Sequence, residues 1–276
     1  MPLTSSRLLL IGCGKMGAAL ARGWSKAKTA AIDVVEPGTL PRDVKAHIHQ
    51  SVHSLQALGA SPAPYTAIIL AVKPDKIDSA CEDLAAHPAL YGANTLFLSI
   101  AAGRTTSSLA THLPGHAAIV RAMPNLPASI GMGVTALYTA TTTPPPIRFL
   151  AESLGRAVGD IVWIDNEAAM DTVTAVSGSG PAYVFLLIET MAQAGVTLGL
   201  TKDVALRLAR QTVVGAAQLA AQSPDIAPAT LRENVTSPNG TTAAALSVLM
   251  EANKGIDDLF TRAITAARDR SHALSK

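Results

Sequence analysis

Six residues near the start of this 276-residue chain, Gly12-Cys13-Gly14-Lys15-Met16-Gly17, leave few folds open. They follow a short apolar run, Arg7 to Ile11, of the length expected for a buried parallel strand. They precede Ala18 to Lys28, which reads as a helix. In this setting each glycine has a task. Gly12 permits a tight turn, Gly14 lets backbone approach a pyrophosphate, and Gly17 lets helix and strand pack closely. The helix N-terminus offers unpaired N–H groups to phosphate oxygens. Cys13, Lys15 and Met16 fill the loop between the glycines and are cofactor candidates with them.

A second strand, Ala31 to Val35, ends in Glu36, about 20 residues beyond the loop, where a ribose-binding acid belongs. The order strand, loop, helix, strand, acid indicates a Rossmann-type dinucleotide site. A carboxylate at Glu36 would accept from the ribose 2′-OH of NADH and repel the 2′-phosphate of NADPH. The alternative is that Glu36 faces solvent and Arg42 receives that phosphate.

Further apolar runs continue the sheet at Ala67 to Val72, Leu96 to Ile100 and Ala117 to Arg121, with Val134 to Tyr138 and Gly159 to Ile164 as closing strands. The first three end in turns: Lys73-Pro74, then Ala101-Ala102-Gly103, then Met123-Pro124-Asn125. Ligands of open parallel sheets sit at the strands' carboxyl ends, so these turns are expected to line one crevice. That shared position makes Lys73 and Asn125 functional candidates. Thr141 to Pro146 reads as a stiff loop, too short for a linker.

Composition excludes several functions. The chain is 49% hydrophobic and 15% charged, with a net charge of +2 and no basic stripe, so nucleic acid is not an expected partner. No window reaches the roughly 18 uninterrupted apolar residues of a membrane span. Leu8 to Cys13 has the outline of a lipoprotein cleavage box, but its apolar run is shorter than the roughly 7–15 residues of a signal core. Two cysteines, Cys13 and Cys81, can form neither a disulfide framework nor a four-ligand zinc site, which suits a reducing compartment. His47, His49 and His53 read as a surface cluster rather than a metal site, and no metal is expected.

After Trp163 the alternation of strands and helices stops, dividing the chain into an α/β domain, 1–164, and an all-α domain, 165–276. Helices are expected over Asn166–Val176, Ala182–Gly195, from Thr201 as a cap to about Ala221, Ala229–Val235, Thr241–Asn253 and Ile256–Leu274. Their apolar stripes, such as Val184, Leu187, Ile188 and Met191, or Leu206, Ala209 and Val213, are wider than a surface helix needs. Such surface seldom stays exposed, so an intertwined dimer is expected. Two polar, glycine-rich motifs interrupt these helices, Ser177 to Pro181 and Ser237 to Thr242. The second opens a helix whose N–H groups can bind a carboxylate, with Thr242 placing a hydroxyl beside it. Simple capping by Thr241 or Thr242 is compatible with that role.

Together these pieces resemble the pyrroline-5-carboxylate reductase family. The matching segments are Gly12 to Gly17, Ala71 to Pro74, Ser99 to Gly103, Arg121 to Asn125, Ser177 to Tyr183 and Val235 to Thr242. The resemblance implies reduction of 1-pyrroline-5-carboxylate to L-proline by NADPH or NADH, the last step of proline biosynthesis. It also implies a helical dimerisation domain, dimers that sometimes assemble further, and a cytoplasmic location. By resemblance Gly12 to Gly17, Ala71, Val72, Lys73, Pro74, Ala101 and Asn234 would touch the cofactor. Ser177, Gly240, Thr241 and Thr242 would hold the substrate, with Thr242 near the imine nitrogen. Asn239 stands where the family usually has glycine, and Leu126 where it has threonine. Asn tolerates left-handed backbone, so the turn at Asn239 is expected to survive, and Leu126 receives no polar role.

Related hydroxyacid dehydrogenases carry a lysine just after a glycine-rich motif to handle the alcohol proton. Here Val184, Phe185 and Leu186 follow Ser177–Pro181. That suits imine reduction, because a protonated imine is already electrophilic. Another imine or hydroxyacid reductase, or a non-catalytic nucleotide sensor that dimerises, are the competing readings.

Overall fold

The structure, a computed structural model, describes residues 6–27, 31–59, 63–115, 117–140 and 143–274. The expected helix end at Lys28 and residues 141–142 of the Thr/Pro loop lie outside them. Two compact units are present, one of residues up to 178 together with 267–274, the other of 179–266.

The first unit is built on eight strands. They are β1 (Arg7–Ile11), β2 (Ala31–Val35), β3 (Gln50–Val52), β4 (Ala67–Leu70), β5 (Leu96–Ser99), β6 (Ala118–Met123), β7 (Gly133–Tyr138) and β8 (Gly159–Trp163). Their order in the sheet is β3-β2-β1-β4-β5-β6-β7-β8. All neighbours are parallel except β6 and β7. The 124–132 connection between those two is shorter than the dozen or so residues a parallel crossover needs, so the chain turns back on itself. Strand β3 was not expected from sequence. Its three residues, Gln-Ser-Val, are too few and too polar to show a pattern, and it forms by extending the edge beside β2.

Helices of this unit are α1 (Lys15–Lys26), α2 (Arg42–Lys45), α3 (Ile77–Ala85), α4 (Thr106–Ala110), α5 (Pro145–Arg156) and α6 (Ala169–Val173). Alternate strand residues feed two cores. Leu8, Leu10, Ile32, Val34, Ile69 and Leu98 share one with Leu20 and Trp24 of α1 and Leu150 and Leu154 of α5. Leu9, Ile11, Ile68, Leu70, Phe97 and Ile119 share the other with Ile77, Cys81 and Leu84 of α3. A sheet covered on both faces must be apolar on both, which is why these strands read as unbroken runs rather than alternations. The Trp24 indole N–H donates to the Leu154 carbonyl at 3.0 Å, so burial leaves no polar atom of that ring unpaired.

After α6 the chain makes a π-turn, Thr174–Gly178. The Thr174 and Ser177 hydroxyls donate back to the carbonyls of Met170 and Val173, at 2.8 and 3.0 Å. Such bonds to the residue four back compete with the helical ladder and bend it. This segment stays with the sheet unit, because Met170 is buried against Met123 and Ala136.

The second unit holds α7 (Gly180–Thr197), α8 (Lys202–Gln222), α9 (Pro228–Asn234) and α10 (Thr241–Leu249), with the first turns of α11 (Ile256–Leu274). Pro181 sits in the first turn of α7, where a missing N–H costs nothing. Thr201 takes the cap position of α8 without a side-chain bond. Helices α7 and α8 meet through small residues, with Ala192, Ala205 and Ala209 buried and Ile188 and Val196 packed beside them. Larger apolar side chains, among them Val184, Phe185, Leu186, Leu187, Met191 and Leu206, are exposed. No helix among the described residues is long and apolar enough to cross a membrane.

Candidate functional site

The glycine loop joins β1 to α1 as the sequence predicts. Gly12 has φ +89°, and a Cβ there would stand 2.7 Å from the Ala71 carbonyl carbon. A Cβ on Gly17 would stand 2.8 Å from the Gly12 carbonyl oxygen. Around Gly14, by contrast, a Cβ would meet nothing within 4 Å. The loop is therefore packed tightly against the protein below and left open above its middle glycine. Helix α1 has no side-chain cap and no acid in its first turn. Its first intrahelical bond runs from Ala18 N–H to Gly14 O at 2.9 Å, so the N–H groups of Lys15, Met16 and Gly17 have no helical acceptor. Open space, free N–H groups and the positive end of a helix together suit a pyrophosphate.

A groove of about 510 Å³ runs over this loop. It collects Gly12, Gly14, Glu36, Ala71, Val72 and Lys73, so the ends of β1, β2 and β4 converge, whereas the turns Ala101-Ala102-Gly103 and Met123-Pro124-Asn125, expected in the same crevice, are not among its lining residues. Pro74 starts the short helical turn after Lys73. Cys13, Lys15, Met16 and Gly17 belong to the loop without lining the groove, and the Cys13 side chain is in the core. Burial first, and the Glu36 carboxylate second, push the Cys13 thiol up to about 11, so it stays protonated near neutrality. Ala101 is buried after β5, and its N–H donates to Ser99 Oγ at 3.3 Å. His53, read from sequence only as part of a surface cluster, lines the groove together with Ser54, Lys76 and Ser79, which carried no sequence signal. Ser54 follows the unforeseen strand β3, so nothing local marked it.

Glu36 faces the loop. One carboxylate oxygen accepts from the Cys13 N–H at 2.7 Å and the other from the Gly38 N–H at 2.8 Å. The acid is thus fixed on the groove wall, and Arg42 is not among the lining residues. The three clustered histidines diverge. His49 Nδ1 lies 2.8 Å from the buried Asp33 carboxylate, His47 is 3.2 Å from Ser25 Oγ, and His53 borders the groove. Among the described residues no group of three or more His, Cys, Asp or Glu could hold a metal.

Asn125 engages its amide within the fold. Its Nδ2 donates to the Ser177 carbonyl at 3.1 Å and its Oδ1 accepts from the Val134 N–H at 2.9 Å. A second clamp nearby had no sequence signal. Glu167 accepts from Arg121 Nη1 at 2.8 Å, from the Thr106 N–H at 2.7 Å and from the Thr106 hydroxyl at 3.0 Å. Arg121 is buried, and pairing plus these extra bonds is what makes a buried charge tolerable.

In the second unit, the turn before α10 is closed by the Gly240 N–H donating to Ser237 O at 3.0 Å. Asn239 adopts φ +59°, so the left-handed turn does survive the replacement of glycine. A Cβ on Gly240 would collide with Ser237 Oγ. Gly240 itself is the cap residue and neither threonine caps α10, which removes the alternative of simple threonine capping. The helix starts one residue too early for their hydroxyls to turn back on its first N–H groups. Thr241 is exposed and Thr242 half-buried, and among the described residues no hydrogen bond engages the Thr242 hydroxyl. Asn234 ends α9 and is exposed.

Comparison with known proteins places both parts. A family model described as pyrroline-5-carboxylate reductase dimerisation matches residues 167–274. One described as NADP oxidoreductase coenzyme F420-dependent matches 7–103. The chain is 40% identical to a pyrroline-5-carboxylate reductase of Pseudomonas aeruginosa, covering 99% of this chain and 98% of that one. It is 39% identical to one of Synechocystis, covering 99% of each. Among solved structures, a pyrroline-5-carboxylate reductase from Coxiella burnetii superposes with a TM-score of 0.85 at 36% identity, covering 99% of both chains. The Plasmodium falciparum pyrroline carboxylate reductase, solved with NADP bound, gives 0.82 at 28% identity, covering 99% of this chain and 100% of that one. With its glycine-loop groove, its helical second unit and relatives matched from end to end, this chain belongs to the pyrroline-5-carboxylate reductase family of NAD(P)-dependent oxidoreductases.

Proposed function

We propose that the chain reduces 1-pyrroline-5-carboxylate to L-proline with NAD(P)H, the last step of proline biosynthesis. The observation that carries this reading is the full-length likeness to pyrroline-5-carboxylate reductases, joined to a groove whose loop is open above Gly14. Bound NAD(P)H supplies a hydride and is left as the oxidised nicotinamide. The protein's share is binding and orientation. Gly12 to Gly17 hold the phosphates through backbone, and Ala71 to Pro74, Ala101 and Asn234 complete the cofactor contacts. Ser177, Gly240, Thr241 and Thr242 hold the substrate. The uncapped start of α10 suits the substrate carboxylate, and the Thr242 hydroxyl hydrogen-bonds the ring nitrogen. Hydride adds to the carbon of the protonated imine, its π pair moves to nitrogen, and a neutral amine results. No strong acid is required at the site.

The fixed Glu36 carboxylate favours NADH over NADPH, since it cannot swing away from a 2′-phosphate without losing two backbone hydrogen bonds. The exposed apolar side chains of α7 and α8 support a homodimer built through the second unit, with dimers able to assemble further. The chain works in the cytoplasm, with a second copy of itself and its small-molecule substrate as partners rather than nucleic acid or membrane. The test is oxidation of each cofactor, followed at 340 nm, with pyrroline-5-carboxylate and, in reverse, with a hydroxyacid panel. Turnover with the imine and a higher kcat/KM for NADH are expected. Turnover only with hydroxyacids would overturn the substrate, and a tenfold preference for NADPH would overturn the role of Glu36.

A further inference from the structure

We propose that Asn125 is a positioning residue for the substrate side of the reaction, its carboxamide completing the π-turn that carries Ser177. The proposal rests on the reading of Ser177 as a substrate-side residue. The Ser177 carbonyl is an orphan by sequence. A regular helix would pair it with the N–H four residues on, but residue 181 is proline and has none. The next N–H, that of Ala182, donates instead to Ser179 O at 3.0 Å. The partner that remains is Asn125 Nδ2, 3.1 Å from Ser177 O.

The orientation of this amide is fixed by chemistry. The Val134 N–H can only donate, so the Asn125 atom 2.9 Å from it is the oxygen, and the nitrogen must face Ser177 O. Asn125 is 8% exposed, too buried for water to take over either bond readily. The turn it supports is of the π type, which recurs at functional sites, and the same segment is pinned upstream at Glu167 by Arg121 and Thr106. Asn125 does not line the cofactor groove, so its loss should fall on the substrate side alone.

Asn125→Asp keeps the shape and the acceptor for Val134. When ionised it has no donor and sets a negative oxygen against the Ser177 carbonyl. When protonated it regains an O–H that can donate there. Measured on the full chain at pH 8, Asn125→Asp should lower kcat/KM for pyrroline-5-carboxylate by about tenfold or more, the effect of leaving one buried carbonyl unpaired. The Kd for NADH should stay within about twofold, and the ratio of variant to wild-type kcat/KM should rise as pH falls. Asn125→Ala should speed amide hydrogen exchange across residues 174–180 at every pH. Unchanged kcat/KM at pH 8, a ratio flat with pH, an equal loss of cofactor binding, or unchanged exchange would each overturn the proposal. A wild-type chain inactive on this imine would instead overturn the substrate reading, while the exchange experiment would still decide the clamp.

Discussion

The two units solve the burial problem differently. In the sheet unit Leu8, Leu9, Leu10, Ile68, Ile69 and Leu70 are wholly buried, and both faces of the sheet carry helices. In the helical unit the buried apolar residues are three alanines, while Phe185, Leu186, Leu208, Leu219 and Phe260 lie open. The first unit buries most of its large apolar residues within one chain, with Ile130, Met132 and Phe149 among those left exposed. The second uses its small residues to bring α7 and α8 together and turns its large ones outward, as suits a chain matched by a dimerisation family model. An alanine-rich composition therefore means close helix contact inside the protomer and an unsatisfied surface outside it.

Four changes would break or sharpen that contrast. The largest effect is expected at the glycine loop, where the sheet unit has no slack. Gly12→Val adds a β-branched side chain at φ +89° and within 2.7 Å of the Ala71 backbone. Strain and overpacking of about 3 kcal/mol or more should weaken NADH binding about 100-fold, as measured by fluorescence titration. A Kd within tenfold of wild type would mean that the loop can yield.

Phe185→Glu tests the other unit. Phe185 is 59% exposed in the single chain, so the change costs an isolated protomer little. Buried in a two-fold interface it would place an unpaired charge on both sides, raising the dimer dissociation constant by about 100-fold or more. Sedimentation velocity reads this directly. Unchanged association would remove this face of α7 from the interface.

Thr242→Ala should lower kcat/KM by about 10- to 100-fold through the loss of one positioning hydrogen bond, with cofactor Kd unaltered. An unchanged kcat/KM would take Thr242 out of the mechanism.

The smallest effect concerns polar surface, on which neither unit depends. The Arg22 guanidinium, 2.6 Å from the Asp43 carboxylate, holds that group below its ordinary value. A depressed folded pKa gives stability that is present above the unfolded value and is lost as pH falls through the folded one. The pair is solvent-exposed and screened, so Asp43→Asn should shift Tm at pH 7 by no more than about 1 °C, and by nothing once the carboxyl is protonated. A loss of several degrees would make this contact structural.

The sheet was legible wherever strands were long and apolar. Arg7–Ile11 and Ala31–Val35 fell where the residues put them, because a strand buried on both faces has one composition throughout. Gln50–Val52 was not legible, since its place depends on β2 beside it. The site divides in the same way. The glycine loop and Glu36 could be read from spacing, whereas the roles of Asn125, Arg121 and Glu167 depend on partners 46 to 61 residues away in the chain. Residues of ordinary type with distant partners leave no local trace.

Sequence by itself determined the turn at Gly12, the unpaired N–H groups at the start of α1 and the excess of apolar helix surface. Each follows from the covalent structure of a few neighbouring residues. Only tertiary structure decided that Glu36 closes back on the loop and that the Asn125 carboxamide bridges the Ser177 carbonyl and the Val134 N–H. Those outcomes turn on which donor meets which acceptor across the fold, and a hydrogen bond is set by positions within about 3 Å that no local pattern encodes.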